Sequence, residues 1–228
     1  MLLSMNANLR PVWFEDNSAL AVNEIFDSIE GEGKRAGELA TFIRLAGCNL
    51  RCSYCDTAYA FSEGTKMTIP EIVSKVHYHN VTLTGGEPLC QNIGYLLDAL
   101  QSHIVNIETN GSIPVQAFHD YSNVFFTIDY KCKSSGMTDK MYLRNFSKLR
   151  KRDVLKFVVG SREDLEEAVH IYHRQHVERT DCKVYVSPVF GKIEPAEIVE
   201  FLKRNDLQKW RVQLQLHKFI WAPEKRGV

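Results

Sequence analysis

Three cysteines stand within eight residues, Cys48-Asn-Leu-Arg-Cys52-Ser-Tyr-Cys55. Thiolates at this C-x3-C-x2-C spacing can converge on one metal centre. Structural zinc takes four ligands, normally as two separated pairs. A triplet with no fourth partner nearby suits a four-iron cluster with one iron left open to a small molecule. A cluster closed by four cysteines cannot bind one. A zinc site completed by Cys90, Cys132, Cys182 or a histidine is the competing reading. Further on stands Thr84-Gly85-Gly86-Glu87-Pro88. Two glycines let a backbone approach a ligand closely, and Glu87 offers a carboxylate to an ammonium. Alone, such a segment reads as a turn.

Positioning these groups requires regular elements. LATFIRLA (39–46), VTLT (81–84), IVNIET (104–109), VFFTID (124–129), VLKFVVG (154–160), KVYVSPV (183–189) and RVQLQLH (211–217) read as strands. Helical stretches alternate with them. One starts at Pro70, with Ile72, Val73 and Val76 at helical spacing, and one spans 93–103. A short one opens at Pro114. Another is capped by Ser161, with Asp164 three residues on, and runs to about His176. The last covers 195–205. Strands alternating with helices indicate a parallel α/β sheet, either an incomplete barrel or a doubly wound sheet. In both, ligands sit at the carboxyl ends of strands. Cys48, Gly85-Gly86-Glu87, Thr109-Asn110-Gly111, Asp129 and Ser187 all fall at such ends.

Composition bounds the rest. The chain has 228 residues, with 28 Lys+Arg against 28 Asp+Glu. That length suits one domain, taken here as 1–228 with an irregular extension over 1–20. Zero formal net charge removes any strong expectation of a nucleic-acid partner. No apolar run long enough to span a membrane occurs, and no signal peptide is evident. A cytoplasmic protein with reduced thiols is the expectation. Cys90, Cys132 and Cys182 then read as bystanders, and His170, His173 and His176 as a solvated helix face.

The cysteine loop, with Tyr54 before its last cysteine, resembles the signature of the radical S-adenosylmethionine superfamily. The GGEP segment resembles that superfamily's GGE motif, which holds the methionine amino group. Phe26-Asp-Ser-Ile-Glu-Gly-Glu-Gly33, Phe42-Ile-Arg44-Leu-Ala-Gly-Cys48, Asp56-Thr57 and Gln213-Leu-Gln-Leu-His217-Lys218 narrow the resemblance to the 7-carboxy-7-deazaguanine synthase family. The resemblance implies a radical SAM core, an incomplete TIM-like barrel of about six mostly parallel strands. It implies conversion of 6-carboxy-5,6,7,8-tetrahydropterin to 7-carboxy-7-deazaguanine with loss of ammonia, on the way to queuosine. The cofactors implied are a [4Fe-4S] cluster, S-adenosylmethionine and Mg2+. Another small enzyme of the superfamily, such as a glycyl-radical activase, is the alternative.

Carried over residue by residue, the resemblance gives Cys48, Cys52 and Cys55 to the cluster. It gives Gly85, Gly86, Glu87, Asp129, Lys131 and Ser187 to S-adenosylmethionine, and Thr57 to Mg2+. Substrate contacts fall on Ile29, Glu30, Gly31, Arg44, Thr84 and His217, with the first three partly main-chain. Arg44 suits the substrate carboxylate through a bidentate fork. It also interrupts an apolar strand, where an unpaired charge is costly, so it needs an anion or a partner. Three departures stand out. Glu30 replaces a common glutamine, Asp129-Tyr130 replaces a usual Ser-Pro, and the tail after Trp221 is longer than in members whose terminal carboxylate reaches substrate. The partners implied are the pterin, an electron donor such as flavodoxin or ferredoxin, and a second copy in a homodimer, with no nucleic acid and no membrane.

Overall fold

A computed structural model describes residues 18–228. Most of the irregular head expected over 1–20 therefore lies outside the described residues. By Ala19 the chain is already in a strand.

Nine strands form one sheet among the described residues: β1 (Ala19–Ile29), β2 (Leu39–Leu45), β3 (Thr65–Thr68), β4 (Asn80–Gly85), β5 (Ile104–Thr109), β6 (Val124–Lys131), β7 (Val154–Val159), β8 (Lys183–Pro188) and β9 (Trp210–Val212). The order is β3-β1-β2-β4-β5-β6-β7-β8-β9. From β2 to β9 every neighbour is parallel and spatial order follows chain order. A doubly wound sheet reverses its order at a switch point. This one does not, so the winding is that of an open barrel. β1 and β3, absent from the expected strands, add an antiparallel edge.

The helices are α1 (Ile69–Val73), α2 (Gly94–Ala99), α3 (Arg162–Arg174), α4 (Pro195–Arg204) and α5 (His217–Ile220). Two stop earlier than their apolar spacing predicts. After α1, the backbone N–H groups of His77 and Tyr78 are drawn off the helix onto the Thr41 hydroxyl, at 3.1 and 3.2 Å. After α2, Asn123 donates to the carbonyls of Leu100 and His103 at 3.0 and 2.9 Å, which caps the end. Ser161 caps α3 by accepting from the Asp164 N–H. The Asp164 carboxylate does not return to Ser161. It takes the N–H groups of Ser134 and Gly160 instead, at 3.0 and 2.7 Å. The last strand ends at Val212 and not at His217, because Gln213 turns to bind Gly33 from across the sheet.

Alternation along the strands separates two faces. Ile43, Leu45, Val81, Leu83, Ile107, Phe126, Ile128, Leu155, Phe157 and Val186 are completely buried. They join Ile72, Leu96, Leu97, Ala168 and Ile198 from the helices in one core. Their neighbours along the strands point the other way, into the barrel: Arg44, Thr82, Thr84, Asn106, Glu108, Thr127, Asp129, Lys131, Lys156, Tyr185 and Ser187. Each large apolar side chain on the outer face contributes about 1.5–3 kcal/mol by burial. The inner face also buries Phe125 and Tyr185, but it must satisfy its many polar groups one by one.

Candidate active site

β2 ends at Leu45, and the chain turns over the carboxyl edge of the sheet into Cys48. Gly47 makes that turn with φ of 89°, a conformation side chains disfavour. The cysteine loop is tied down on several sides. The Arg51 guanidinium donates to the carbonyls of Cys48 and Leu50 at 2.8 and 2.6 Å and lies over the Phe61 ring. The Ser53 N–H donates to Ser135 O at 3.0 Å. Leu50 N–H and the Asn110 amide approach the Cys48 sulfur at 3.4 and 3.8 Å. Burial pushes the Cys48 thiol up to about 11 and raises Cys52 as well. Metal binding here must therefore displace protons.

The loop sulfurs are not gathered as closely as around a single ion. Four sulfurs around zinc at their usual bond length lie about 3.8 Å apart. Among the described residues, the one triplet of His, Cys, Asp or Glu with ligand atoms within 4.8 Å of one another is Cys132, Asp164 and Glu167. The three loop sulfurs are spread more widely than that. None of the six cysteines forms a disulfide.

The glycine segment serves the chain itself in a way its sequence did not reveal. A Cβ on Gly86 would sit 2.1 Å from Gly47 O, and one on Gly85 would sit 2.6 Å from Leu45 O. The glycines let the loops after β2 and β4 press together, with Glu87 N–H donating to Gly47 O at 2.8 Å. The Glu87 side chain is completely buried. Its carboxylate accepts from Leu89 N–H, the Thr109 hydroxyl and Asn110 N–H at 3.0, 2.8 and 2.7 Å. Burial still pushes it up to about 7. Glu87 thus anchors the end of β5 to the end of β4. The carboxylate expected to meet an ammonium thus already accepts three hydrogen bonds within the chain.

Two hydroxyls at this end have no partner among the described residues. Ser187 Oγ, at the end of β8, and Tyr54 Oη are both buried and unbonded. An unmet buried hydroxyl costs about 1–3 kcal/mol and calls for an explanation. A polar ligand lying across the strand ends supplies one, and Ser187 is where the cofactor contact was expected.

Below this rim the barrel holds a charge network. Lys131 Nζ donates to Asp129 Oδ2 at 2.8 Å. Lys156 Nζ lies 3.2 Å from Asp129 Oδ1 and 2.9 Å from Glu32 Oε2. Burial works against the charge on Lys156, but Asp129, Glu32 and Glu108 outweigh it and hold the amine above its usual range. Lys131 is raised in the same way. Glu108 accepts from the Thr84 hydroxyl at 3.0 Å. Burial, with Lys156 opposing it, pushes its carboxyl up to about 7. The Asp129 departure from the family pattern is therefore part of this network.

Arg44 sits on β2 with its Nε 2.8 Å from Glu24 on β1. The partner its position demanded is thus within the chain, and Nη1 reaches Gly85 O at 3.4 Å. Thr57 begins a turn after the last cysteine, its hydroxyl 3.7 Å from Cys55 Sγ. The carboxylate of Asp56 beside it is 3.3 Å from Lys218 Nζ.

The segment after β1 floors the barrel. Arg35 donates to Val81 O and Ile104 O, both at 3.2 Å, at the starts of β4 and β5. Lys34 covers the Phe125 ring at the start of β6. Glu30 is buried, its carboxylate bonded to Arg35 and to the Thr82 hydroxyl. Its N–H and carbonyl pair with Glu38 and Gly37 at 2.8 and 2.9 Å. Glu30, expected to touch substrate, is therefore committed to the floor. Ile29 ends β1 opposite Leu39. Gly31 is buried and lies directly against His217, whose Nδ1 would be 2.2 Å from a Cβ there. His217 opens α5 and does not lie on a strand. Burial lowers its pKa, so it is neutral near pH 7.

The expected residues thus converge from both ends of the sequence. Gln213 bonds both N–H and carbonyl of Gly33 at 2.7 and 3.2 Å, Leu216 N–H donates to Gly31 O, and Gln215 donates to Glu32. These bonds span the gap between the sheet's edges. Lys156, Glu32, Glu108 and Glu24 were missed. The signal that singled out Arg44, a charge in an apolar strand, applies equally to Lys156 in VLKFVVG and would have found it.

A model of the radical SAM superfamily matches residues 42–205. The chain is 47% identical to a 7-carboxy-7-deazaguanine synthase of Clostridium acetobutylicum, over 91% of this chain and 98% of that one. It is 41% identical to one of Chlorobaculum tepidum, over 92% and 97%. The crystal structure of QueE from Escherichia coli superposes with a TM-score of 0.72 at 21% identity, covering 86% of this chain and 94% of that chain. That structure supports the fold.

Proposed function

The chain belongs to the 7-carboxy-7-deazaguanine synthase family of the radical S-adenosylmethionine superfamily, and from that premise we propose how its own residues serve the reaction. It is a carbon–nitrogen lyase that converts 6-carboxy-5,6,7,8-tetrahydropterin to 7-carboxy-7-deazaguanine with release of ammonia, in queuosine precursor biosynthesis. A glycyl-radical activase is displaced as a reading by the full-length identity to synthases. When bound, the [4Fe-4S] cluster and S-adenosylmethionine supply the 5′-deoxyadenosyl radical that removes a hydrogen from substrate.

Cys48, Cys52 and Cys55, at the strand ends, would hold the cluster. The main chain of Gly85 and Gly86, the Ser187 hydroxyl and Lys131 receive S-adenosylmethionine across them. The unbonded Ser187 hydroxyl supports this placement. Substrate lies below, between the rim and the floor. The terminal edge of Arg44 binds the pterin carboxylate, Thr84 stands beside it, and Gly31 with neutral His217 meets the ring edge. Neutral His217 can both donate and accept, as a pterin edge requires. The Thr57 hydroxyl would hold Mg2+ when it binds, since a hard cation keeps several waters and needs few protein ligands. The walls hold the reactants in register and exclude water. An external electron donor such as flavodoxin or ferredoxin, a homodimeric assembly and a cytoplasmic setting complete the proposal.

The observation that carries this reading is convergence. Three cysteines, a glycine step and an unmet hydroxyl meet at the carboxyl ends of parallel strands, above a charged interior. The test is anaerobic reconstitution with iron and sulfide, followed by S-adenosylmethionine, dithionite, Mg2+ and carboxytetrahydropterin. The expected result is the deazapurine by absorbance and mass. Cleavage of S-adenosylmethionine without that product would reject the substrate assignment.

A further inference from the structure

β1 pairs with β2 in register except at one place. Val22 faces Leu45 and Glu24 faces Arg44, so two steps on β1 match one on β2 and Asn23 is extra. Without this bulge Asn23 would oppose Arg44, and Glu24 would oppose Ile43. Bulges re-aim side chains and occur beside active sites. This one carries Glu24 from the outer face to the inner face, directly beside Arg44.

The displaced residue is tied down. Asn23 donates its amide to Glu63 O at 2.8 Å. The Glu63 carboxylate lies 3.2 Å from Arg226 Nη1 in the C-terminal tail. Arg226 also lies over the Tyr59 ring, 3.5 Å from its centroid. The Tyr59 hydroxyl donates to Glu24 Oε1 at 3.1 Å, the same oxygen that accepts from Arg44 Nε. Contacts therefore close a ring from the bulge, through the tail, back to Glu24.

Arg44 carries five N–H donors. Glu24 takes Nε, and Gly85 O takes one from Nη1 at 3.4 Å. The terminal edge of the fork keeps donors for a second, bidentate partner. We propose that Glu24 is a positioning residue. Aimed by the Asn23 bulge and held by Tyr59 under Arg226, it orients the terminal edge of Arg44 toward the substrate carboxylate and so sets selection for carboxylated pterins. This rests on the assignment of Arg44 made above.

The test is calorimetric titration of 6-carboxytetrahydropterin into the cluster-loaded protein with S-adenosylmethionine and Mg2+ but no reductant, beside steady-state kinetics. Glu24→Ala should weaken binding about tenfold while kcat stays within about twofold. Glu24→Gln keeps the acceptor and should recover to within about threefold of wild type. A tetrahydropterin lacking the carboxylate should bind wild type and Glu24→Ala equally. Arg226→Ala should weaken binding of the carboxylated substrate about threefold, through Tyr59. If Arg44→Met leaves carboxylate binding unchanged, the assignment of Arg44 fails. If Arg44→Met weakens binding but Glu24→Ala does not, the positioning role alone fails. A Gln variant as weak as Ala would also reject it. Should Glu24→Ala not load the cluster, Tyr59→Phe removes only the hydroxyl on Glu24 and carries the test. Binding unchanged in that variant overturns the proposal.

Discussion

Two faces of the same strands are built on opposite principles. On β6, Phe126 and Ile128 point outward and are completely buried in the shared core. Thr127 and Asp129, between and beyond them, point inward. Thr127 donates to Asn106 at 3.0 Å, and Asp129 meets two lysines. One face is held by area removed from water and depends on shape. The other is held largely by pairing and carries burdens: the Ser187 hydroxyl has no partner among the described residues, and Glu108 is pushed up to about 7. The outer face stabilises the fold, and the inner face costs stability for the sake of a site. Substitutions on the two faces should therefore separate stability from activity.

The largest effect is on the rim. Cys52→Ala should abolish both the iron–sulfur absorbance and product, while the melting temperature of the metal-free chain stays within a few degrees by circular dichroism. Next comes the outer face. Phe126→Ala should cost about 3–5 kcal/mol, or roughly 10 °C in melting temperature. Turnover per loaded cluster, measured well below the transition, should not change. An equal loss of turnover would break the comparison.

On the inner face the sign reverses. Glu108 in the folded chain stays protonated up to about 7, whereas its ordinary value is 4.5. Between those values the unfolded chain releases a proton that the folded chain keeps. Stability therefore falls as pH rises from 4.5 to 7 and levels off above. Glu108→Gln should flatten that fall and raise stability at pH 8 by on the order of 2 kcal/mol. Denaturant titrations at pH 5 and pH 8 read this directly, and a variant less stable at pH 8 would contradict it. Smallest is Ser187→Ala. Stability should hold or rise by about 1 kcal/mol, since the lost hydroxyl has no partner. Binding of S-adenosylmethionine should weaken about threefold by equilibrium dialysis.

What the sequence showed follows from range. The cysteine loop and the GGEP segment are contiguous, so their types and spacing were legible without a fold. The parallel strands were legible because their apolar runs are local. The doubly wound alternative closed only with strand order, which no local pattern contains. Glu24 needed the Asn23 bulge to reach Arg44, and a bulge leaves no mark in an eleven-residue strand. Glu30 is separated by 52 residues from the hydroxyl of Thr82 that holds it. Gln213 stands 180 residues from the glycine it binds. That bond ends β9 and sets His217 on α5 against Gly31, where periodicity alone continued a strand. The packing role of the glycine step was hidden for a related reason: its tight neighbour is Gly47 O, and adjacency of the two loops exists only once β2 and β4 pair.

The most direct test of the central claim concerns the cluster. Electron paramagnetic resonance of the reconstituted, dithionite-reduced protein should be recorded with and without S-adenosylmethionine. Three cysteine ligands leave one iron open, so a reduced four-iron signal should appear and change on adding S-adenosylmethionine. A signal indifferent to S-adenosylmethionine, or a protein that binds one zinc and no iron, would contradict the account.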